Sequence, residues 1–221
     1  MHWQPLVPFV SLAALLSAGL TITGYYLRPP RRTLIHIFKP LATILILITA
    51  ALPGTLPADP YALAIGIGLL FSLSGDIWEM LPRRHFLKAL VSFLITHMCY
   101  VLAFLSGAPA YGFVWPVIPL ALVGVVVLAY LWPVLSAGMK VAVGIYIGAI
   151  VIMTALAAGR ALAYSSPGTL VAAIGASLFL ASDAVLAVNR FRRPFRAAQA
   201  LILGTYFFGQ WLIALSIGMP I

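Results

Sequence analysis

The sequence predicts an all-α, polytopic membrane protein of eight transmembrane helices. Hydrophobic residues make up 63% of the chain against 8% charged, and the mean hydropathy is +1.11, above the range of soluble globular domains. The apolar runs are each about 20 residues long, the length that crosses a bilayer core. The breaks between them concentrate charge, proline and glycine, as in Arg28-Pro29-Pro30-Arg31-Arg32 and Ser165-Ser166-Pro167-Gly168, where a buried helix cannot continue. Eight such runs use up 221 residues, so one integral membrane domain over 1–221 is expected.

Taken in order, the first span covers 5–27 and stops at the Arg28–Arg32 cluster. Its start lacks a basic region, so it reads as a span and not as a cleaved signal. The second covers 34–52, and the third, 61–81, ends at Pro82-Arg83-Arg84. The fourth runs over 86–105 and the fifth over 111–132, where Pro116 and Pro119 predict a kink. The sixth, 138–158, gives way to Arg160, read as a loop residue; the seventh and eighth occupy 168–188 and 197–217.

The net charge of +9 does not point to nucleic acid, because the basic residues lie between apolar runs, where topology and lipid phosphates account for them. Membrane lipids are the expected surroundings. Counted by alternate loops, Arg28, Arg31, Arg32, Lys39, Arg83, Arg84, Lys88, Lys140, Arg190, Arg192, Arg193 and Arg196 fall on one side and only Arg160 on the other. The positive-inside rule then predicts that both termini face away from the cytoplasm. Cys99 is the one cysteine, which excludes an internal disulfide and a cysteine metal cluster.

Chemistry is expected at Asp76 and Asp183. Each lies within an apolar run, in Phe71-Ser72-Leu73-Ser74-Gly75-Asp76 and Leu178-Phe179-Leu180-Ala181-Ser182-Asp183. A carboxylate in hydrocarbon costs about 3 kcal/mol on insertion scales, so such a residue is a functional candidate by default. Each aspartate is followed seven residues on by an arginine, Arg83 or Arg190. With Lys39 and Lys140 near the starts of the second and sixth spans, this pattern suggests two parallel four-helix repeats. Gly68, Ser72, Gly75, Asp76 and Glu79 recur at helical spacing on the third span, and Gly175, Phe179, Ser182 and Asp183 on the seventh. Lys39 could hold a phosphate or keep a nearby aspartate ionised; the plain alternative is a snorkelling lysine. His97 and Tyr100 on the fourth span, and Tyr206 and Gln210 on the eighth, either line a polar cavity or link helices by hydrogen bonds. Glu79 reads as solvated near the interface. No second histidine stands at metal-ligand spacing from His97, and no Gly-x-Ser-x-Gly, Walker or dinucleotide motif occurs. Hydrolysis through two carboxylates, without metal or other cofactor, is the chemistry left open.

At these residues the chain resembles the YhhN-like lysoplasmalogenase family of polytopic membrane proteins. The resemblance rests on Lys39-Pro40-Leu41, the Phe71–Asp76 stretch, Phe93 with His97 and Tyr100, Gly175 to Asp183 running on to Ala187-Val188-Asn189-Arg190-Phe191, and Tyr206-Phe207-Phe208-Gly209-Gln210. Trp78-Glu79 departs from it, with bulk and charge where the family has aliphatic residues, and Lys88-Ala89 stands where the family tends to have glycine. The resemblance implies cleavage of the vinyl ether bond of a lysoplasmalogen, giving a fatty aldehyde and glycerophosphoethanolamine or glycerophosphocholine. It implies a lysophospholipid substrate, catalysis by Asp76 and Asp183, and a head-group phosphate received by Lys39, Arg83 or Arg190. Ser72, Gly75, His97, Tyr100, Ser182, Asn189, Tyr206 and Gln210 are the expected pocket-lining residues. The expected location is a bacterial inner, or plasma, membrane with the site toward the cytoplasm. The rival reading is a proton-coupled transporter or lipid-binding protein, in which the same aspartates relay protons or bind a cation.

Overall fold

A computed structural model describes residues 4–56, 58–106 and 115–220, with the side chains of Gln4 and Arg83 outside the described set. Among the described residues, eight helices are long and apolar enough to cross a membrane: α1 (Val7–Tyr26), α2 (Arg32–Ala51), α3 (Pro60–Met80), α4 (Phe86–Leu105), α5 (Val117–Leu131, extended by a 3-10 turn to Val134), α6 (Ala137–Tyr164), α7 (Pro167–Phe191) and α8 (Ala198–Leu215). Leu12, Leu16, Leu70, Leu102, Leu122, Val126, Ile145 and Leu170 are exposed, an apolar exterior that belongs in lipid. The chain is an integral membrane protein.

Two expectations are corrected. Pro116 and Pro119 do not kink the fifth span; they open it, since α5 begins at Val117 with Pro116 in the N-cap position. A first turn tolerates proline because its N–H groups have no helical acceptor. The expected start at 111 falls on residues 111–114, outside the described residues. Arg160 is not in a loop, because α6 continues through it to Tyr164. Its buried guanidinium donates to the carbonyls of Phe104 (3.3 Å) and Ser106 (2.6 Å), groups that the end of α4 leaves without intrahelical donors.

The packing has a two-fold logic. α3 packs on α4 as α7 packs on α8, α2 on α3 as α6 on α7, and α2 meets α8 as α6 meets α4. Both α3 and α7 begin with a side-chain cap followed by proline: Asp59 accepts from the Tyr61 N–H and precedes Pro60, and Ser166 accepts from the Thr169 N–H and precedes Pro167. From that shared start, Gly68 corresponds to Gly175, Gly75 to Ser182, Asp76 to Asp183 and Arg83 to Arg190. Gly175 and Gly209 let α7 and α8 touch backbone to backbone, since a Cβ on either would meet the other's carbonyl oxygen at 2.7 Å. The correspondence fails at one place. α1 packs on α8, whereas α5 leans on α6 and α7, and a groove opens between α5 and α4.

Candidate active site

Asp76 lies in the middle of a directed hydrogen-bond network. Its Oδ2 accepts from the Thr43 hydroxyl at 2.5 Å and from the Tyr206 hydroxyl at 3.0 Å, and its Oδ1 stands 3.4 Å from the Lys39 Nζ. Tyr100 donates to Gln210 Oε1 at 2.5 Å, and Gln210 Nε2 donates to Ser72 Oγ at 2.6 Å. Ser72 in turn meets the Tyr206 hydroxyl at 2.7 Å. Because Tyr206 spends its proton on Asp76 and Ser72 already accepts from Gln210, the Ser72 proton goes to Tyr206. Every donor in the chain therefore points toward the carboxylate. Ser72, Asp76, Tyr100, Tyr206, Gln210 and Lys39 are all buried. The Lys39 ammonium also makes a close ion-paired hydrogen bond to Glu79, whose side chain is 29% exposed.

Asp183 meets different neighbours. Its Oδ2 accepts from the Tyr146 hydroxyl at 2.7 Å and lies 3.5 Å from His97 Nε2. His97 is fully buried, with ring contacts to Tyr146 (4.9 Å) and Phe179 (4.8 Å), and among the described residues neither of its nitrogens has a hydrogen-bond partner. Lys140, the expected counterpart of Lys39, instead stands over the Trp132 ring at 4.8 Å. The position on α6 that serves Asp183 as Lys39 on α2 serves Asp76 is Tyr146. Likewise α4 presents His97 to Asp183 where α8 presents Tyr206 to Asp76.

The two aspartates border one small, partly open pocket, together with Glu79, Phe93, Ser182 and Tyr206. Asp183, Glu79 and Phe93 also border an open groove between α4, α5, α6 and α7. The rest of that groove is mostly apolar, with Leu90, Val123, Val127, Ile147, Leu180 and Phe191 among its walls, and Arg190 also lines it. The Arg190 guanidinium lies over the Phe86 ring at 4.5 Å, and Phe86 meets Phe191 edge-on.

The remaining expected residues sort by position. Ser182 lines the cavity and anchors α8 by donating to the Ile202 carbonyl at 2.9 Å. Gly75 leaves room for Phe93, whose ring a Cβ there would meet at 2.7 Å. Ser72, Tyr100 and Gln210 form the network behind Asp76 and are not among the residues lining the described cavities. Asn189 accepts the Phe195 N–H at 3.3 Å, which ties the turn after α7. The side chain of Arg83 falls outside the described residues. Sequence reasoning missed Thr43 and Tyr146 and set Glu79 aside as solvated. Thr43 stands one turn beyond Lys39, so the face Lys39 occupies was the available signal. Among the described residues, no three His, Cys, Asp or Glu side chains converge as metal ligands would.

Residues 34–217 match the YhhN family. The chain belongs to the YhhN family. Similar members include the Escherichia coli membrane protein YhhN, 32% identical over 208 residues, 93% of this chain and 97% of that protein. The human protein named lysoplasmalogenase TMEM86A is 37% identical over 169 residues, 74% of this chain and 68% of its own. A Mycobacterium bovis protein named lysoplasmalogenase is 30% identical over 160 residues, 64% of this chain and 59% of its own. No solved structure matches this YhhN-family chain at a significant level.

Proposed function

We propose that this protein is a membrane-embedded hydrolase that cleaves the vinyl ether bond of a lysoplasmalogen, releasing a fatty aldehyde and glycerophosphoethanolamine or glycerophosphocholine. The relatives named lysoplasmalogenase support the reaction class. The observation that carries the reading is that Asp76 and Asp183 border one cavity and that Asp183 also borders the apolar groove. A single alkenyl chain suits such a groove, and the vinyl ether at its head then lies beside Asp183. Arg190, at the groove, is suited to the head-group phosphate.

The chemistry divides between unlike carboxyls. Asp183, faced by Tyr146 and His97, delivers a proton to the β-carbon of the vinyl ether and leaves an oxocarbenium ion at the α-carbon. Asp76, met by Lys39, Thr43 and Tyr206, is the ionised partner that stabilises this cation and takes a proton from the attacking water. When the hemiacetal collapses, its hydroxyl proton returns to Asp183 and the proton held on Asp76 goes to the departing glycerol oxygen. Both carboxyls end as they began. Reaction in D₂O is expected to place one deuterium on the carbon next to the aldehyde.

The basic clusters all lie at the end of the bundle where α1 joins α2, α3 joins α4, α5 joins α6 and α7 joins α8. By the positive-inside rule that end faces the cytoplasm of a plasma membrane, both termini lie on the far side, and Asp76 and Asp183 lie toward the cytoplasmic end of their helices. The test is purified protein in detergent with lysoplasmenylethanolamine, assayed for aldehyde beside Asp76→Asn and Asp183→Asn. Wild-type release that both substitutions abolish is the expected result. No release by wild type, or full activity in both folded variants, overturns the reading, and aspartate-dependent uptake in proteoliposomes would favour transport instead.

A further inference from the structure

Glu79 has no part in the chemistry above, yet it lines both the cavity and the groove and shares Lys39 with Asp76. The sharing is unequal. Lys39 hydrogen-bonds Glu79 and only approaches Asp76 Oδ1, at 3.4 Å. Oδ1 is a buried carboxylate oxygen with no hydrogen-bond partner among the described residues, while Oδ2 of the same group takes both Thr43 and Tyr206. A buried acceptor left open is expensive unless something else uses it. The carboxylate that carries it borders the cavity.

We propose that Glu79 is a positioning residue that holds the Lys39 ammonium off Asp76 and so keeps Oδ1 open to accept a proton from the attacking water. The inference rests on the hydrolase reading above. Without Glu79, the buried ammonium has Asp76 as its remaining ion-pair partner among the described residues. It would move onto Oδ1 and occupy the lone pair that water needs, and the arrangement around Asp76 would become a closed salt bridge.

The test is a cycle of four proteins, wild type, Glu79→Gln, Lys39→Met and Lys39→Met/Glu79→Gln, with Glu79→Asp as the conservative variant. Each is purified in detergent, checked for a single size-exclusion peak and assayed for aldehyde release from lysoplasmenylethanolamine. Glu79→Gln is expected to lower kcat on the order of tenfold, part of the general-base contribution, with KM within about twofold. Glu79→Asp recovers most of that loss. In the Lys39→Met background the Glu79→Gln change has no further effect on kcat, because its action runs through the lysine. An unchanged kcat in Glu79→Gln, a loss confined to KM, or an equal loss in both backgrounds overturns the inference while leaving the hydrolase reading intact. A wild type that releases no aldehyde overturns both. If Glu79→Gln does not fold, the comparison of Lys39→Met with the double variant decides.

Discussion

Asp76 and Asp183 stand at corresponding places on α3 and α7, yet the two halves of the bundle dress them differently. Around Asp76 the neighbouring helices supply an ammonium, two hydroxyls and a chain of donors reaching back to Tyr100. Around Asp183 the same helix positions supply the Tyr146 hydroxyl and the His97 ring, with Phe179 where the first half has Ser72. The difference extends to the walls, since α1 closes on α8 while α5 leaves the groove beside α4. A duplicated scaffold thus supports one carboxylate met by an ammonium and two hydroxyls and one that borders an apolar groove. Unlike environments for like groups are how a pair of carboxyls divides acid and base work.

The sharpest way to break this comparison is to neutralise each aspartate in turn. Both Asp183→Asn and Asp76→Asn are expected to lower kcat by roughly 10²- to 10⁴-fold, the usual range for a lost general acid or base. The aldehyde assay measures both, and a variant that keeps more than a tenth of wild-type kcat removes that aspartate from the chemistry. Next comes Tyr146→Phe, which deletes the hydroxyl on Asp183 without altering the ring. A hydrogen bond to a charged or reacting carboxyl contributes about 1.5–3 kcal/mol, so a loss of about tenfold or more in kcat is expected. No loss would mean that Asp183 does not rely on α6 as Asp76 relies on α2.

Much of this was legible in the chain. Hydropathy and the basic breaks located eight helices, because a bilayer leaves a backbone few ways to cross. Asp76, Asp183 and Lys39 stood out because charges are rare within apolar runs. Tyr146 and Thr43 did not, since an uncharged hydroxyl within a span reads equally as core, interface belt or helix glue. Glu79 is the last residue but one of α3, so its position suggested solvent; only the fold shows Lys39 reaching it. Arg160 misled for the opposite reason: a charge between apolar runs reads as a loop until the free carbonyls of α4 are placed beside it.

The groove itself gives a smaller and more selective effect. Ala184 lines it on α7, one residue past Asp183. Ala184→Phe would fill part of the space a chain needs, and each buried methylene is worth about 0.8 kcal/mol. Its expected signature is a rise in KM of roughly fivefold to twentyfold for long alkenyl chains, with little change for short ones. An equal rise across chain lengths would mean that the groove does not hold the chain.

The smallest expected effects compare Gly75 with Ser182, which occupy corresponding positions one residue before the aspartates. A Cβ at Gly75 would fall 2.7–2.9 Å from three atoms of the Phe93 ring, and that ring packs edge-on against Tyr206 at 5.9 Å. Gly75→Ala therefore pushes on the ring that lines the cavity and on the tyrosine that donates to Asp76. Overpacking of this kind costs roughly 1–3 kcal/mol, so a lower thermal midpoint in detergent and a reduced kcat should appear together. Ser182→Ala removes one hydroxyl bond to the Ile202 carbonyl and leaves the space unchanged, for a loss of about 1 kcal/mol. Its effect should appear in the thermal midpoint with kcat nearly preserved. If Ser182→Ala instead lowers kcat as Gly75→Ala does, the hydroxyl acts on the substrate as well as on α8, and the second half of the bundle supplies more than its carboxyl.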